Sequence, residues 1–378
     1  SVADSTAAIC SSAVCSSALS SGSVEDTAHT VDPGPRSWAS HWSGRRLLAR
    51  VVPGEPLQTS LEVMRYAFDP QLAPFTDMLA AADPHDLAAT RHTMTEVAQN
   101  LPAYHSESAI DVVDQVIDGP GGTALPVRLY RPSGRSGGVL PAVVHLHWGG
   151  FTSGSIDVID ALSMQMADQV GALVIAVAYR LAPEAPYPAA LDDSYAALTW
   201  LADHAGDLRV DPARIAVSGN SAGGGLAAAL ALLARDRGGP ALAFQALVFS
   251  QLDDRLNTAS AREFTDTPMW TREGAQVSWG HYLGGVEPGS PQVSPYAAPA
   301  RMADLTGLPP AFVSAREFDP FRDEDLAYGA RLVHAGVPVE LHLYPGTFHA
   351  STAIADAAIS QRMIADQIGA LTRALNIS

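Results

Sequence analysis

The sequence predicts an α/β fold, with an eight-stranded, mostly parallel sheet flanked by helices. Three observations carry that expectation. Eight strand-like runs succeed one another at 109–117, 125–130, 142–148, 173–179, 215–218, 244–250, 311–314 and 339–344. From the third onward they are mostly apolar, which suits strands covered on both faces. Helical stretches separate these later runs, and strands alternating with helices make βαβ units and a parallel sheet. The first two runs lie close together, so an antiparallel edge is expected there.

Each helix has its own signal. One is read over 157–170, and another comes after Pro188, with Leu191, Tyr195, Leu198 and Leu201 marking its face. Three more are expected after Ser221, over 320–334 and over 353–375. Ahead of the sheet, 57–101 reads as short, weakly capped helices carrying Leu61, Met64, Tyr66, Phe68, Met78, Leu79, Met94 and Val97. The interval 253–300 contains Trp, Tyr and Pro and lacks a strand signal. An insertion of that length after a core strand is expected to pack with the N-terminal helices as a lid.

Composition narrows the function classes. A chain of 378 residues with 47% hydrophobic content buries a large core, yet no run nears the roughly 18 apolar residues a membrane span needs. Forty acidic residues against 23 basic ones, all of them Arg, give a net charge of −17. That balance repels nucleic acid and anionic membranes, so neither is an expected partner. Cysteine occurs only at Cys10 and Cys15, so no disulfide or thiolate metal site supports the chain beyond residue 15. Residues 1–23 lack a basic front and an apolar block. They read as a disordered tail rather than a signal peptide, and a cytoplasmic location is expected.

The chemistry concentrates at Gly219-Asn220-Ser221-Ala222-Gly223. Ile215-Ala216-Val217 before it is strand-like, and Leu226, Leu230 and Leu233 after it recur on one helical face. A serine on such a strand–turn–helix corner is held out from the sheet beside free helix N–H groups, the geometry for attack on a carbonyl. The same Gly-x-Ser-x-Gly spacing recurs at Gly134–Gly138, but there it lies in a Pro/Ser/Gly-rich connection with no helix after it. A flexible loop explains Ser136 fully.

Other strand ends supply partners for Ser221. His147-Trp148-Gly149-Gly150-Phe151 comes after the third run, and its paired glycines let the N–H groups of Gly149 and Gly150 point together into a cavity. With the N–H of Ala222 they form an expected three-donor oxyanion hole. A serine hydroxyl needs a base, and His349 stands after the last run on a loop. His334, His342, His204 and His281 have weaker placements, while His145 and His147 read as supports for the glycine loop. Asp319, after the seventh run, is the expected acid that orients His349. Followed by Pro320, it is also a good helix cap, and one carboxylate does not easily serve both roles. Glu317 and Asp323 are the alternative acids.

Together these residues resemble the hormone-sensitive-lipase-like branch of the α/β-hydrolases, the bacterial carboxylesterases. The similarity runs from about Ala109 to His349. It includes Tyr179-Arg180-Leu181-Ala182-Pro183-Glu184, Tyr187-Pro188-Ala189-Ala190-Leu191-Asp192-Asp193 and Asp319-Pro320-Phe321-Arg322-Asp323-Glu324. The resemblance implies the α/β-hydrolase fold with a helical cap, no cofactor or metal, and hydrolysis of short- to medium-chain esters by Ser221, Asp319 and His349. It sets out 1–40 as a tail and lead-in, 41–105 as an N-terminal cap, and 106–378 as the catalytic domain with a cap insertion at about 253–300. Three positions depart from the family's pattern. Trp148 stands where it has the first glycine of His-Gly-Gly-Gly, and Asn220 where it has Asp or Glu; both are expected to line the substrate pocket. His349 is followed by Ala350 and Ser351 rather than Gly-Phe. A homodimer is a further expectation. Two alternatives use the same residues: a non-catalytic small-molecule-binding protein of this fold, and an amide or lactam hydrolase.

Overall fold

A computed structural model describes residues 66–79, 81, 83–106, 108–133 and 138–376. The chain divides into two compact units, 1–67 and 68–378. Of the first, only Tyr66 and Ala67 are described. The N-terminal tail with both cysteines, the expected helical signal at Leu61 and Met64, and Ser136 all lie outside the described residues.

Among the described residues, eight strands form one sheet: β1 (Ile110–Asp118), β2 (Ala124–Pro132), β3 (Leu140–Leu146), β4 (Leu173–Val177), β5 (Val210–Asn220), β6 (Phe244–Val248), β7 (Ala311–Phe318) and β8 (Val339–Phe348). Their order is β1-β2-β4-β3-β5-β6-β7-β8. β2 runs antiparallel to both β1 and β4, and every other pairing is parallel. The expected antiparallel edge is there. Every residue of β3, β4 and β6 is buried, which explains why these strands read as mostly apolar runs.

Among the described residues, eight α-helices accompany the sheet: α1 (Leu87–Asn100), α2 (Asp160–Val170), α3 (Ala189–Asp203), α4 (Ala222–Arg237), α5 (Ala259–Glu263), α6 (Arg272–Tyr282), α7 (Arg322–His334) and α8 (Ala358–Leu375). Apolar residues of α3, α4 and α7 share one core with the sheet, while those of α2 and α8 share another. Leu226, Leu230 and Leu232 of α4 are fully buried. Each such side chain contributes about 1.5–3 kcal/mol of burial energy.

The N-terminal reading needs correcting. Among the described residues of this stretch, α-helix is confined to Leu87–Asn100, where the Asp86 carboxylate accepts the Ala89 N–H at 2.9 Å. Residues 66–86, where described, form turns with one short 3-10 segment, Ala73–Phe75. Pro70, Pro74 and Pro84 interrupt the backbone there. Phe68, Leu72 and Leu79 pack individually against the body of the protein instead, while Met78 is exposed. Phe68, for example, sets its ring edge-on to Phe318 and Phe348 at 5.3 and 5.5 Å. The interval 253–300 holds α5 and α6 and no strand.

Candidate active site

The backbone turns sharply at Ser221, between the end of β5 and the start of α4. Its φ of 55° lies in the left-handed region, an uncommon conformation for a residue with a side chain. Two close approaches hold it there. A Cβ on Gly219 would stand 2.0 Å from the Gly223 carbonyl oxygen, and one on Gly223 would stand 2.1 Å from that of Leu146. Only hydrogen fits at either position. The second contact presses the first turn of α4 against the end of β3, where the glycine loop begins.

In that loop every carbonyl is tied back. The His147 carbonyl accepts the Tyr179 hydroxyl at 2.7 Å, and that of Trp148 accepts His147 Nδ1 at 3.0 Å. Ser153 gives its N–H and its hydroxyl to the Gly149 carbonyl, each at 2.9 Å. The Ser278 hydroxyl donates to the Gly150 carbonyl at 2.7 Å. In a trans peptide the N–H opposes the preceding C=O, so the N–H groups of Gly149 and Gly150 face away from these ties. Among the described residues neither has a partner, and the Ala222 N–H, first in its helix, has none either.

His349 comes directly after β8, with Nε2 2.9 Å from the Ser221 hydroxyl and Nδ1 2.8 Å from Asp319 Oδ2. All three side chains are buried, Asp319 completely. A carboxylate only accepts, so Nδ1 carries the ring proton and Nε2 receives that of the serine. The other Asp319 oxygen accepts the Phe321 N–H at 2.9 Å, in a turn just ahead of α7. One carboxylate therefore does serve two roles, because each oxygen takes one. Glu317 instead holds the Gly346 N–H at 2.6 Å and Asp323 holds that of Ser260 at 2.8 Å, so neither alternative acid reaches the imidazole.

Three aromatic rings wall His349. Phe249 and Phe321 meet it edge-on at 4.9 and 5.4 Å, and Trp270 stacks over it at 5.7 Å. Sequence reasoning did not place Trp270, since its segment has no periodic signal. Behind Phe249 the Arg316 guanidinium is enclosed, 4.8 Å from that ring and 5.3 Å from Tyr344. Burial lowers it to about 10, so it stays charged at neutral pH. Glu324 and Asp325 of α7 are also buried, which pushes both carboxyls up. They accept the backbone N–H groups of Leu252 and Ser250 and so fix the loop after β6 to α7.

A cavity of about 230 Å³ opens onto Ser221 and His349. Gly149, Gly150 and Trp148 line it from the sheet side, Thr93, Met94 and Val97 from α1, and Val277, Ser278 and His281 from α6. Arg91 fastens α1 in place through a two-pronged pair with Glu184 at 2.8 and 2.7 Å. His281, which has no strand-end placement in sequence, thus reaches the cavity from a helix. Asn220 does not line this cavity. It faces a neighbouring one, and Trp148 lines both.

His145 and His147 are neutral elements of the framework. Desolvation lowers their imidazoles to about 3 and about 4 from the ordinary 6.5. His147 braces the glycine loop and stacks on Tyr179 at 4.0 Å, as expected for a support. His145 bonds the Ser163 hydroxyl on α2 at 2.8 Å instead, because it leaves β3 on the same face as Val143, the face that α2 and α8 cover. Below pH 6.5 the unfolded chain takes up protons that the folded one refuses. Stability is therefore undiminished by these groups above 6.5 and falls as the pH drops toward 4. The two should cost about 4 kcal/mol together by pH 5. Urea unfolding at pH 7.5 and pH 5 checks this, and His145→Gln should remove about half of the difference.

A nucleophile corner, a donor loop and a buried imidazole–carboxylate pair at the carboxyl ends of parallel strands define a serine hydrolase on an α/β sheet. The family model for the alpha/beta hydrolase fold matches residues 143–353. The chain is 38% identical to the carboxylesterase NlhH of Mycobacterium tuberculosis over 77% of its own length and 91% of that protein's. It is 35% identical to an arylesterase of Saccharolobus solfataricus, over 66% and 79% of the two chains. Among solved structures, a bacterial heroin esterase is 43% identical with a TM-score of 0.79, the match covering 82% of this chain and 98% of that one. The chain belongs to the hormone-sensitive-lipase-like family of α/β-hydrolases and is a carboxylic ester hydrolase.

Proposed function

We propose that the chain cleaves short- to medium-chain carboxylic esters through an acyl-enzyme on Ser221. His349 takes the hydroxyl proton as Ser221 attacks the carbonyl, then delivers it to the leaving alcohol. Asp319 holds the ring and offsets the charge of the imidazolium. The N–H groups of Gly149, Gly150 and Ala222 receive the oxyanion; losing one such donor typically costs about 2.7–4 kcal/mol of transition-state stabilisation. A water activated by His349 then releases the acid. The observation that carries this reading is the unbroken hydrogen-bond path from the Ser221 hydroxyl through His349 to Asp319, beside unpartnered amides.

In the same reading the segments 41–105 and about 253–300 act as a cap, supported by the cavity residues that α1 and α6 contribute. The substrate is a small ester rather than a nucleic acid, in keeping with the net charge of −17. A homodimer is supported by the exposed Leu341 and Leu343 on the edge strand β8.

Rapid mixing with a nitrophenyl acetate tests the acyl-enzyme. One equivalent of nitrophenol should appear in a burst, and peptide mapping of acid-quenched protein should find acetate on Ser221. Acetate on Ser136 instead, or an unmodified Ser221 in turning-over enzyme, would count against the mechanism. An amide panel should turn over far more slowly than the matching esters; parity would favour an amidase.

A further inference from the structure

Two of the positions that depart from the family's pattern, Trp148 and Asn220, meet in a second cavity. It has a volume of about 260 Å³ and does not include Ser221 or His349. Trp148 is its common wall with the cavity over Ser221, joined by Ala350. Val158, Leu162, Phe249 and Ile364 make the rest of its surface largely apolar. Polar side chains interrupt that surface at Tyr104, Gln165, Thr352, Gln367 and Asn220, and of these Asn220 alone has a buried side-chain atom without a partner among the described residues. Its side chain is only 6% exposed, and Oδ1 is buried without a hydrogen-bond partner among the described residues. A buried amide oxygen left unpaired costs about 1–3 kcal/mol, an expense that a ligand with a matching group removes.

We propose that this second cavity is a binding site for small neutral alcohols with an apolar body, whose hydroxyl pairs with the Asn220 amide. Charge is unsuited to the site, because its lining holds no ionised side chain that would offset the desolvation. A hydrocarbon fills the apolar walls but leaves Asn220 unpaired. A hydroxyl both donates and accepts, so it serves either end of an amide. The volume suits a molecule about the size of a single substituted ring. Because Trp148 separates the two spaces, the bound alcohol sits outside the cavity where the ester reacts. The indole belongs to the loop that carries Gly149 and Gly150, so occupancy bears on the donor loop from behind.

Calorimetric titration of the full chain with benzyl alcohol, and with toluene as its hydroxyl-free match, tests the proposal. Benzyl alcohol should bind at one site at least tenfold more tightly than toluene. Asn220→Leu should abolish that preference. Leu162→Trp, which fills the second cavity from α2 without touching the amide, should weaken benzyl alcohol binding at least tenfold. Val277→Trp, which fills the cavity over Ser221, should leave it unchanged. Equal binding of the two probes, or loss of binding in Val277→Trp with retention in Leu162→Trp, would overturn the assignment. If Asn220→Leu does not fold, the two tryptophan variants decide the matter between them.

Discussion

Ser221→Ala is expected to lower kcat on a nitrophenyl acetate about a millionfold, the loss seen when the nucleophile of a comparable triad is removed. That is about 8 kcal/mol of transition-state stabilisation. KM should change little, because the hydroxyl is one small group among many that line the cavity. A residual rate above that in water should persist, since the amides of Gly149, Gly150 and Ala222 do not depend on the hydroxyl. Ser136→Ala supplies the contrast. It shares the Gly-x-Ser-x-Gly spacing but lacks the strand–turn–helix pattern around it, so its turnover should match the parent. Steady-state kinetics on both variants, with circular dichroism to confirm folding, checks the pair. More than about one percent of parental kcat in Ser221→Ala would overturn the assignment, the scale being set by the millionfold expectation.

Gly223→Ala should prevent the chain from folding at all. The added methyl carbon would lie 2.1 Å from the Leu146 carbonyl oxygen and 2.6 Å from that of His147. Both are backbone atoms at the end of a central, fully buried strand, so neither can swing aside as a side-chain tip would. Overpacking among side chains typically costs 1–3 kcal/mol. Here relief requires moving α4 off the sheet, and with it thirteen buried residues of that helix. Gly206→Ala is the matched control, since a Cβ there meets nothing within 4 Å. Soluble yield and thermal unfolding of both variants read the outcome. A cooperative transition near the parental temperature in Gly223→Ala would show that the close contact is not required.

Much of the site was legible because local chemistry fixes it. Ser221 declared itself through glycines at two fixed offsets and a switch from strand to helix periodicity. His349 and Asp319 stood out by their places just after strand-like runs, and they lie within hydrogen-bond reach of each other. Other features left no local trace. Trp270 covers His349 from a segment with no regular pattern, and His281 reaches the cavity from a helix that sequence did not resolve. Residues 66–86 looked helical from their apolar spacing, but prolines deny the backbone donors a helix needs.

The sequence by itself determined the succession of strands in the sheet and pointed to Ser221 as the candidate nucleophile and to the donor-rich loop beside it, because each depends on neighbours a few residues away. Only the tertiary structure decided how the Asp319 carboxylate divides between His349 and Phe321, and that Trp148 divides one cavity from another while Asn220 faces the second. Apart from the local Asp319–Phe321 bond, those outcomes rest on contacts between segments tens of residues apart. Packing of whole elements sets them, and no short-range propensity encodes it.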